Sequence, residues 1–506
     1  SRIAQTLSYV LLVLLGYGCE TTPPAGENTT PTVWTKGSSG KVDASVEAIF
    51  VDFEFDGVVE YGNCFDPEKR VEEQLLYTMG QLNGDRGVGR LDNLELSNVV
   101  AEPTENGCRV TYSARMLVGW GYEHEGRTSY ELILPRDVRH KAIEDLFEHH
   151  GKSCAKTGSE PDSGSLWYYW RPSKGVCTLN DEIAVRIPVT ISPSPVHTSG
   201  MYPEYHKVWE DGSLKVVTIF GKVEAGGDDS DTGVKGYNAY IKKLKSLSKD
   251  WDLKTLPEDL PENPGNAIPD VTLRATLPDG RVLEVVALLI DSVKSADYAF
   301  YQRYQELTKT VDLLTYNGHS GLGANIRTLA RKGEWTQGQY SIVFMNGCDT
   351  YAYVDSALAD AHAEVNLDDP EGTKYLDVLM NAMPSYFYTM ADSGMTLIKA
   401  LLNIENPKTY EQIFVSIDKK EMVIVSGEHD NEYVPGFGSL ESTEVEIVGG
   451  EVPWEGMMKE GTVGKSEEVF FQTPALAPGT YRFEMSGDGD ADLYVRMGES
   501  PSLDLF

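Results

Sequence analysis

Two stretches decide how this chain is read: Val311-Asp312-Leu313-Leu314-Thr315-Tyr316-Asn317-Gly318-His319-Ser320-Gly321-Leu322-Gly323 and Tyr340-Ser341-Ile342-Val343-Phe344-Met345-Asn346-Gly347-Cys348-Asp349-Thr350. Each is an apolar run of strand length that stops at a turn of small residues and presents one reactive side chain. Continuous apolar strands of this kind belong to a parallel sheet covered on both faces. The reactive positions are 348 − 319 = 29 residues apart. That leaves room for one crossover helix, expected over Asn325 to Lys332, between neighbouring parallel strands. Loops at the carboxyl ends of such strands are where open α/β sheets place their active sites. His319 and Cys348 are therefore expected side by side at one sheet edge.

The same alternation extends outward and defines an α/β domain over residues 205–437. Further strands are expected at Leu214 to Phe220, Val282 to Ile290 and Met422 to Val425, and helices at Val234 to Leu247, Ala296 to Lys309 and Tyr375 to Leu402. The acidic, proline-rich stretch Pro257 to Pro269 reads as a surface loop. Before it, residues 41–195 read as a β-rich domain. Stretches such as Val46-Glu47-Ala48-Ile49-Phe50-Val51 and Arg109-Val110-Thr111-Tyr112 have strand periodicity, one helix is expected near Val138 to His149, and Pro193-Ser194-Pro195 closes the region. Its aromatic segment Trp167-Tyr168-Tyr169-Trp170 is read as core in preference to a binding platform. Residues 443–506 return to β-type alternation.

Composition bounds the partners. The chain has 506 residues, 41% of them hydrophobic, and a formal net charge of −34. A field of that sign repels nucleic-acid phosphates, so no nucleic acid is expected as a partner. The run Leu7 to Leu15 behind Arg2 is too short to span a bilayer and suits the apolar core of a secretory signal, so residues 1–19 read as a signal segment. Residues 20–40, rich in Pro, Thr, Gly and Ser, read as a disordered tether.

In an exported protein, thiols free to meet are expected to pair. Cys64, Cys108, Cys154 and Cys177 all fall in the β-rich region. Cys64 with Cys108 and Cys154 with Cys177 is the most local pairing, and sequence alone permits three connectivities. With Cys19 set aside at the signal, Cys348 is left over as an unpaired thiol.

A thiolate is a nucleophile, and an adjacent imidazole takes its proton. Gly318, Gly321 and Gly347 permit the unusual backbone and the close substrate approach that an oxyanion hole of N–H groups requires. Asp291, after the strand Val282 to Ile290, could meet a basic substrate side chain or cap the next helix. His429 follows the strand Met422 to Val425, at the same kind of sheet edge, and could line a pocket or be no more than a polar loop residue. His124, His149 and His150 lack partners at metal spacing, so no metal is expected.

These residues carry a resemblance. An apolar strand ending in Gly318-His319 and a second ending at Cys348 resemble the signatures of clan CD cysteine peptidases, the caspase, gingipain, clostripain, legumain and separase group. The resemblance covers roughly Leu214 to Gly436. It implies a caspase-like three-layer parallel sheet, with Cys348 as nucleophile and His319 as general base and acid. Gly318 and the Cys348 amide would shape the acyl site, and Ser320, standing where the group has glycine, would give the second oxyanion donor from its amide. Asp349 departs from the group's small residue and would raise the thiol pKa.

Gly16-Tyr17-Gly18-Cys19 resembles a bacterial lipobox, which implies lipidation of Cys19 and an outer-membrane or otherwise envelope-anchored, or secreted, protein. Membrane contact would come only through that anchor. Thr480 to Arg496 resembles the pre-peptidase C-terminal domain, a small β-sandwich that would be incomplete at Phe506. Asp488, Asp490, Asp492 and Glu499 fall at the spacing of an EF-hand-like loop, but Leu493 stands where that loop needs glycine. No cofactor is expected, and calcium remains a weak alternative.

The function so implied is a cysteine endopeptidase acting on protein or peptide substrates through an acyl-enzyme. The rival reading is a catalytically silent surface lipoprotein using the same fold as a scaffold. A third makes the acyl-enzyme a route to transpeptidation or self-cleavage.

Overall fold

The computed structural model describes residues 43–195 and 197–435. The expectations that fall on Cys19, the tether, the β-sandwich at 443–506 and its calcium loop lie outside these residues. The chain begins with β1 (Asp43–Ser45), β2 (Ala48–Tyr61), β3 (Gly87–Gly89), β4 (Glu95–Thr104), β5 (Gly107–Gly121), β6 (Ser129–Pro135) and β7 (Ala184–Pro193). Strands β2 to β7 make an antiparallel six-stranded sheet, ordered β3-β5-β2-β7-β6 with β4 also on β5, and it curls into a half-barrel. The helix Pro67–Asn83 starts with proline at its first turn, where no N–H partner is lost. It buries Val71, Leu75, Leu76, Met79 and Leu82 against this sheet. Its two buried glutamines bond to strand carbonyls, Gln74 to Val58 and Pro135 and Gln81 to Glu131.

Of the three connectivities left open, the local one is found: Cys64–Cys108 and Cys154–Cys177 are disulfides. Such bonds persist in an oxidising, exported setting. No helix among the described residues is long and apolar enough to cross a membrane. The aromatic segment is core, with Trp170 and Tyr169 buried.

The large sheet follows with β8 (Ser213–Gly221), β9 (Asp252–Leu256), β10 (Asp270–Thr276), β11 (Val282–Ile290), β12 (Leu313–Asn317), β13 (Ser341–Asn346), β14 (Leu376–Asn381) and β15 (Val423–Ser426). Its order is β1-β15-β14-β13-β12-β8-β11-β10-β9. The five central strands β14, β13, β12, β8 and β11 are mutually parallel, while β15, β1, β10 and β9 add antiparallel edges. The sheet is thus mixed, and the fold is mixed α/β.

Two expectations are corrected. Tyr375 to Leu402 is a strand, β14, and then a helix, Phe387–Leu402, because Pro384 interrupts the apolar run. The last strand, β15, runs antiparallel to β14, since apolar periodicity carries no information on direction.

Alternation along the strands sends side chains to two cores. On one face Val216 and Phe220 of β8 meet Tyr237, Tyr240 and Ile241 of the helix Thr232–Leu247 and Met390 and Leu397 of Phe387–Leu402. On the other, Val217 and Ile219 meet Tyr304, Ile326 and Leu329 from the helices Tyr298–Thr308 and Ala324–Lys332. That second core is continuous with the half-barrel, taking in Phe53, Trp120 and Trp170. Both sheets belong to one compact unit.

Candidate functional site

β12 and β13 pair in register with Asn317 opposite Asn346, so the turns that follow leave the sheet together. The crossover between them is the helix Ala324–Lys332, in the expected place. Gly318 N–H donates to the Asn346 carbonyl at 3.2 Å. A Cβ on Gly347 would stand 2.8 Å from the Gly318 carbonyl oxygen and 3.4 Å from the Ser320 nitrogen. Those atoms are backbone and yield only by moving the His319 turn, so glycine is required at 347 for the two turns to touch.

The last residues of three consecutive parallel strands are asparagines, and all are fully buried. Asn346 Nδ2 donates to Asn317 Oδ1 at 3.0 Å, and Asn381 Nδ2 to Asn346 Oδ1 at 3.2 Å. Asn317 Nδ2 reaches the Thr218 hydroxyl of β8 at 3.1 Å, and the Ser385 hydroxyl donates to Asn346 Oδ1 at 2.7 Å. This row fixes the height at which each turn departs, using groups that carry no charge at any ordinary pH. It was missed from sequence, although the repeat Tyr-Asn-Gly-His, Met-Asn-Gly-Cys, Met-Asn-Ala-Met carries the signal.

In the sheet β8 has β11 on one side and β12 on the other, so the crossover direction reverses between β8 and β12. In open α/β sheets such a switch point is where ligands bind, at the strands' carboxyl ends. His319 is at this point of the sheet, buried, its Nε2 3.2 Å from the carbonyl oxygen of Val223, just past β8. A carbonyl only accepts, so Nε2 carries the proton and Nδ1 keeps its lone pair. Nδ1 is buried with no partner among the described residues.

Burial pushes the imidazole pKa down, with the Val223 carbonyl and the Asp231 carboxylate opposing it. His319 is therefore a neutral ring with a basic nitrogen in hand. Its ring packs edge-on against Phe387 at 5.0 Å. Its carbonyl accepts from the Tyr316 hydroxyl at 2.7 Å and from Asn325 Nδ2 at 2.8 Å, which pins the turn through Gly321, at φ 59°.

Cys348 is 1% exposed, and its Sγ lies 3.6 Å from the Ser385 carbonyl oxygen. The expectation of an unpaired thiol is overturned: Cys348 is disulfide-bonded. Asp349, next in the chain, is buried. Its carboxylate accepts from Asn83 Nδ2 at 2.5 Å and from the Tyr168 hydroxyl at 2.6 Å, both in the region before Pro195.

The remaining candidates separate from this edge or are already engaged. Asp291 neither caps a helix nor stands free: it pairs with Lys222 Nζ at 2.6 Å, and Asp297 caps the helix Tyr298–Thr308. His429 is at the opposite edge, because β15 is antiparallel and its end lies beside the start of β14. His124 and His149 bond to the carbonyls of Asp85 and Asp145. Among the described residues no group of three His, Cys, Asp or Glu side chains could hold a metal ion. No family model, curated protein or solved structure matches this chain.

Proposed function

We propose that the chain is an exported cysteine endopeptidase with a caspase-like α/β domain, anchored to the cell envelope through Cys19 or secreted, and with a pre-peptidase-type sandwich at its end. The observation that carries this reading is the delivery of His319 and Cys348 by adjacent in-register parallel strands, with Gly347 in contact with the His319 turn and the imidazole neutral with a lone pair on Nδ1. The chemistry needs a thiol, so the Cys348 disulfide must first be reduced by an external thiol or dithiol, which is itself oxidised.

His319 then takes the Sγ proton, and the thiolate adds to the scissile carbonyl. The Cys348 and Ser320 amides face the oxyanion, and His319 returns the proton to the leaving amine. Water, activated by the same imidazole, opens the thioester and releases the acid.

A second reading is favoured by the disulfide on Cys348 and by its 1% exposure: a silent surface protein that uses the fold as scaffold. Mass spectrometry of the non-reduced protein, followed by casein cleavage and Cys348 alkylation with and without reductant, separates the two. The peptidase reading expects cleavage only after reduction, at least a hundredfold weaker in His319→Ala. Absence of cleavage together with alkylation indifferent to His319 leaves the scaffold.

A further inference from the structure

The turn carrying Cys348 is held from outside the large sheet. Asp349 adopts φ 52°, the left-handed conformation, uncommon outside glycine although aspartate is among the residues that enter it. Its support is a pair of side chains from the half-barrel region: Asn83, the last residue of the helix Pro67–Asn83, on one carboxylate oxygen and Tyr168 on the other. Asn83 is itself fixed, because Arg171 donates to its Oδ1 at 2.7 Å and also to the Gly80 carbonyl. The Cys154–Cys177 disulfide closes the loop that carries Tyr168 and Arg171. Two residues on, the Tyr351 hydroxyl donates to Asp43 at 2.5 Å, and Asp43 is ion-paired with the buried Arg90. The residues following Cys348 are therefore tied at two points to side chains that precede the peptidase-like region.

We propose that Asp349 is a positioning residue for Cys348 and that the half-barrel region, through Asn83 and Tyr168, clamps the nucleophile's turn in its working conformation. This rests on the peptidase reading of the same site. The titratable groups facing Asp349 are Tyr168, Tyr353, Arg171 and Lys156. Burial raises the carboxyl to about 6, against the opposing effects of Tyr168, Arg171, Lys156 and Asn83. Above that pH both carboxylate oxygens accept, and the clamp is closed. Below it one oxygen is protonated, an acceptor is lost and the turn loosens.

The experiment uses the full chain reduced with a phosphine. Casein turnover and the rate of Cys348 alkylation by iodoacetamide, mapped by mass spectrometry, are followed from about pH 4.5 to 8 in the wild type, Tyr168→Phe and Asp349→Asn. Tyr168→Phe is expected to lower kcat about tenfold with KM unchanged. It should also move the acid limb of both profiles to higher pH, because the hydroxyl that favours the charged carboxylate is gone. Asp349→Asn, which tolerates the same backbone, is expected to abolish that limb.

Variants with unchanged kcat and unchanged limbs, in a wild type that cleaves casein, overturn the clamp. If the wild type does not cleave casein after reduction, the peptidase reading has failed. The clamp is then judged on alkylation alone: displaced limbs sustain it, and superimposable profiles overturn it.

Discussion

The two edges of the large sheet are built from opposite chemistry. The carboxyl edge, where the turns of His319 and Cys348 emerge, is buttressed by amides and hydroxyls: Thr218, Asn317, Asn346 and Asn381. The amino edge is buttressed by carboxyls. Asp312, just before β12, accepts from Lys215 N–H at 2.7 Å and Gln339 Nε2 at 3.0 Å. Asp377 of β14 accepts from the Tyr340 and Tyr410 hydroxyls and from Asn431 Nδ2 through one oxygen, while its other oxygen is buried with no partner among the described residues. Glu428 is buried nearby and accepts from Thr198. The comparison teaches that the row of strand ends carrying the candidate site is joined by bonds that acid and base do not alter, with titrating carboxyls only around it, at Asp349 and Glu421, whereas the far edge is held through its carboxyls themselves.

The largest effect is expected from breaking the neutral row. Asn346→Leu removes a donor to Asn317 and an acceptor for Asn381 and Ser385. It thereby strands the buried Asn317 oxygen and the buried Asn381 amide at about 1–3 kcal/mol each. A loss of at least about 2 kcal/mol is expected, read as a lower urea midpoint at unchanged slope. A loss below about 1 kcal/mol would mean that the row is incidental.

The amino edge should supply a large part of the pH dependence. Burial raises Asp377 to about 7 and Asp312 to about 8, and holds Glu428 well above its ordinary value. A carboxyl raised on folding contributes stability that is fully present below its unfolded pKa of about 4 and is lost as pH rises through the folded value. Stability should therefore fall from mildly acidic conditions toward pH 8, by up to about 1.4 kcal/mol per unit for one such group. Asp377→Asn should shallow that slope between about pH 4 and 7, measured as urea midpoint against pH. An unchanged slope would place the titration elsewhere.

Between the edges in size stands Gly347→Ala. A Cβ there meets the Gly318 carbonyl, and forcing the two turns apart is expected to cost about 1–3 kcal/mol. After reduction, casein cleavage should fall far more than stability does, about a hundredfold. Equal and small losses in both would show that contact between the turns is not what brings His319 and Cys348 into play.

Much of the carboxyl edge was legible because its logic is local. An uninterrupted apolar run, a Gly-His or Gly-Cys turn and 29 residues of spacing suffice to put two strands side by side, and the two disulfides of the β-rich region followed the shortest loops. What escaped was non-local. β14 hid inside an apolar stretch that joins the next helix, the direction of β15 is not a property of its residues, and the misplaced His429 followed from that. Asp349 could be read as a neighbour of Cys348 in sequence, but its carboxylate answers to Asn83 and Tyr168, 266 and 181 residues away. The asparagine row was legible in principle, since it repeats at three strand ends.

The smallest effect is expected from the charge at the carboxyl edge that solvent reaches. Asp291, at the end of β11, lies 2.6 Å from Lys222 Nζ and its side chain is 47% exposed. The hydrogen bond from Lys222 holds its carboxyl below the usual range, helped by the Gly226 N–H. Its contribution therefore has the opposite sign to that of Asp377: it is present above about pH 4 and is lost as pH falls through the depressed value. Solvent screens so exposed a pair, and about 0–1 kcal/mol is expected of it, less in high salt. Asp291→Asn should leave the urea midpoint nearly unchanged at pH 7. Because the carboxylate is already answered by Lys222, cleavage after lysine or arginine in reduced protein should change less than about twofold. A collapse confined to basic substrates would instead mean that Lys222 yields its partner to the incoming side chain, and would make Asp291 the residue that selects it.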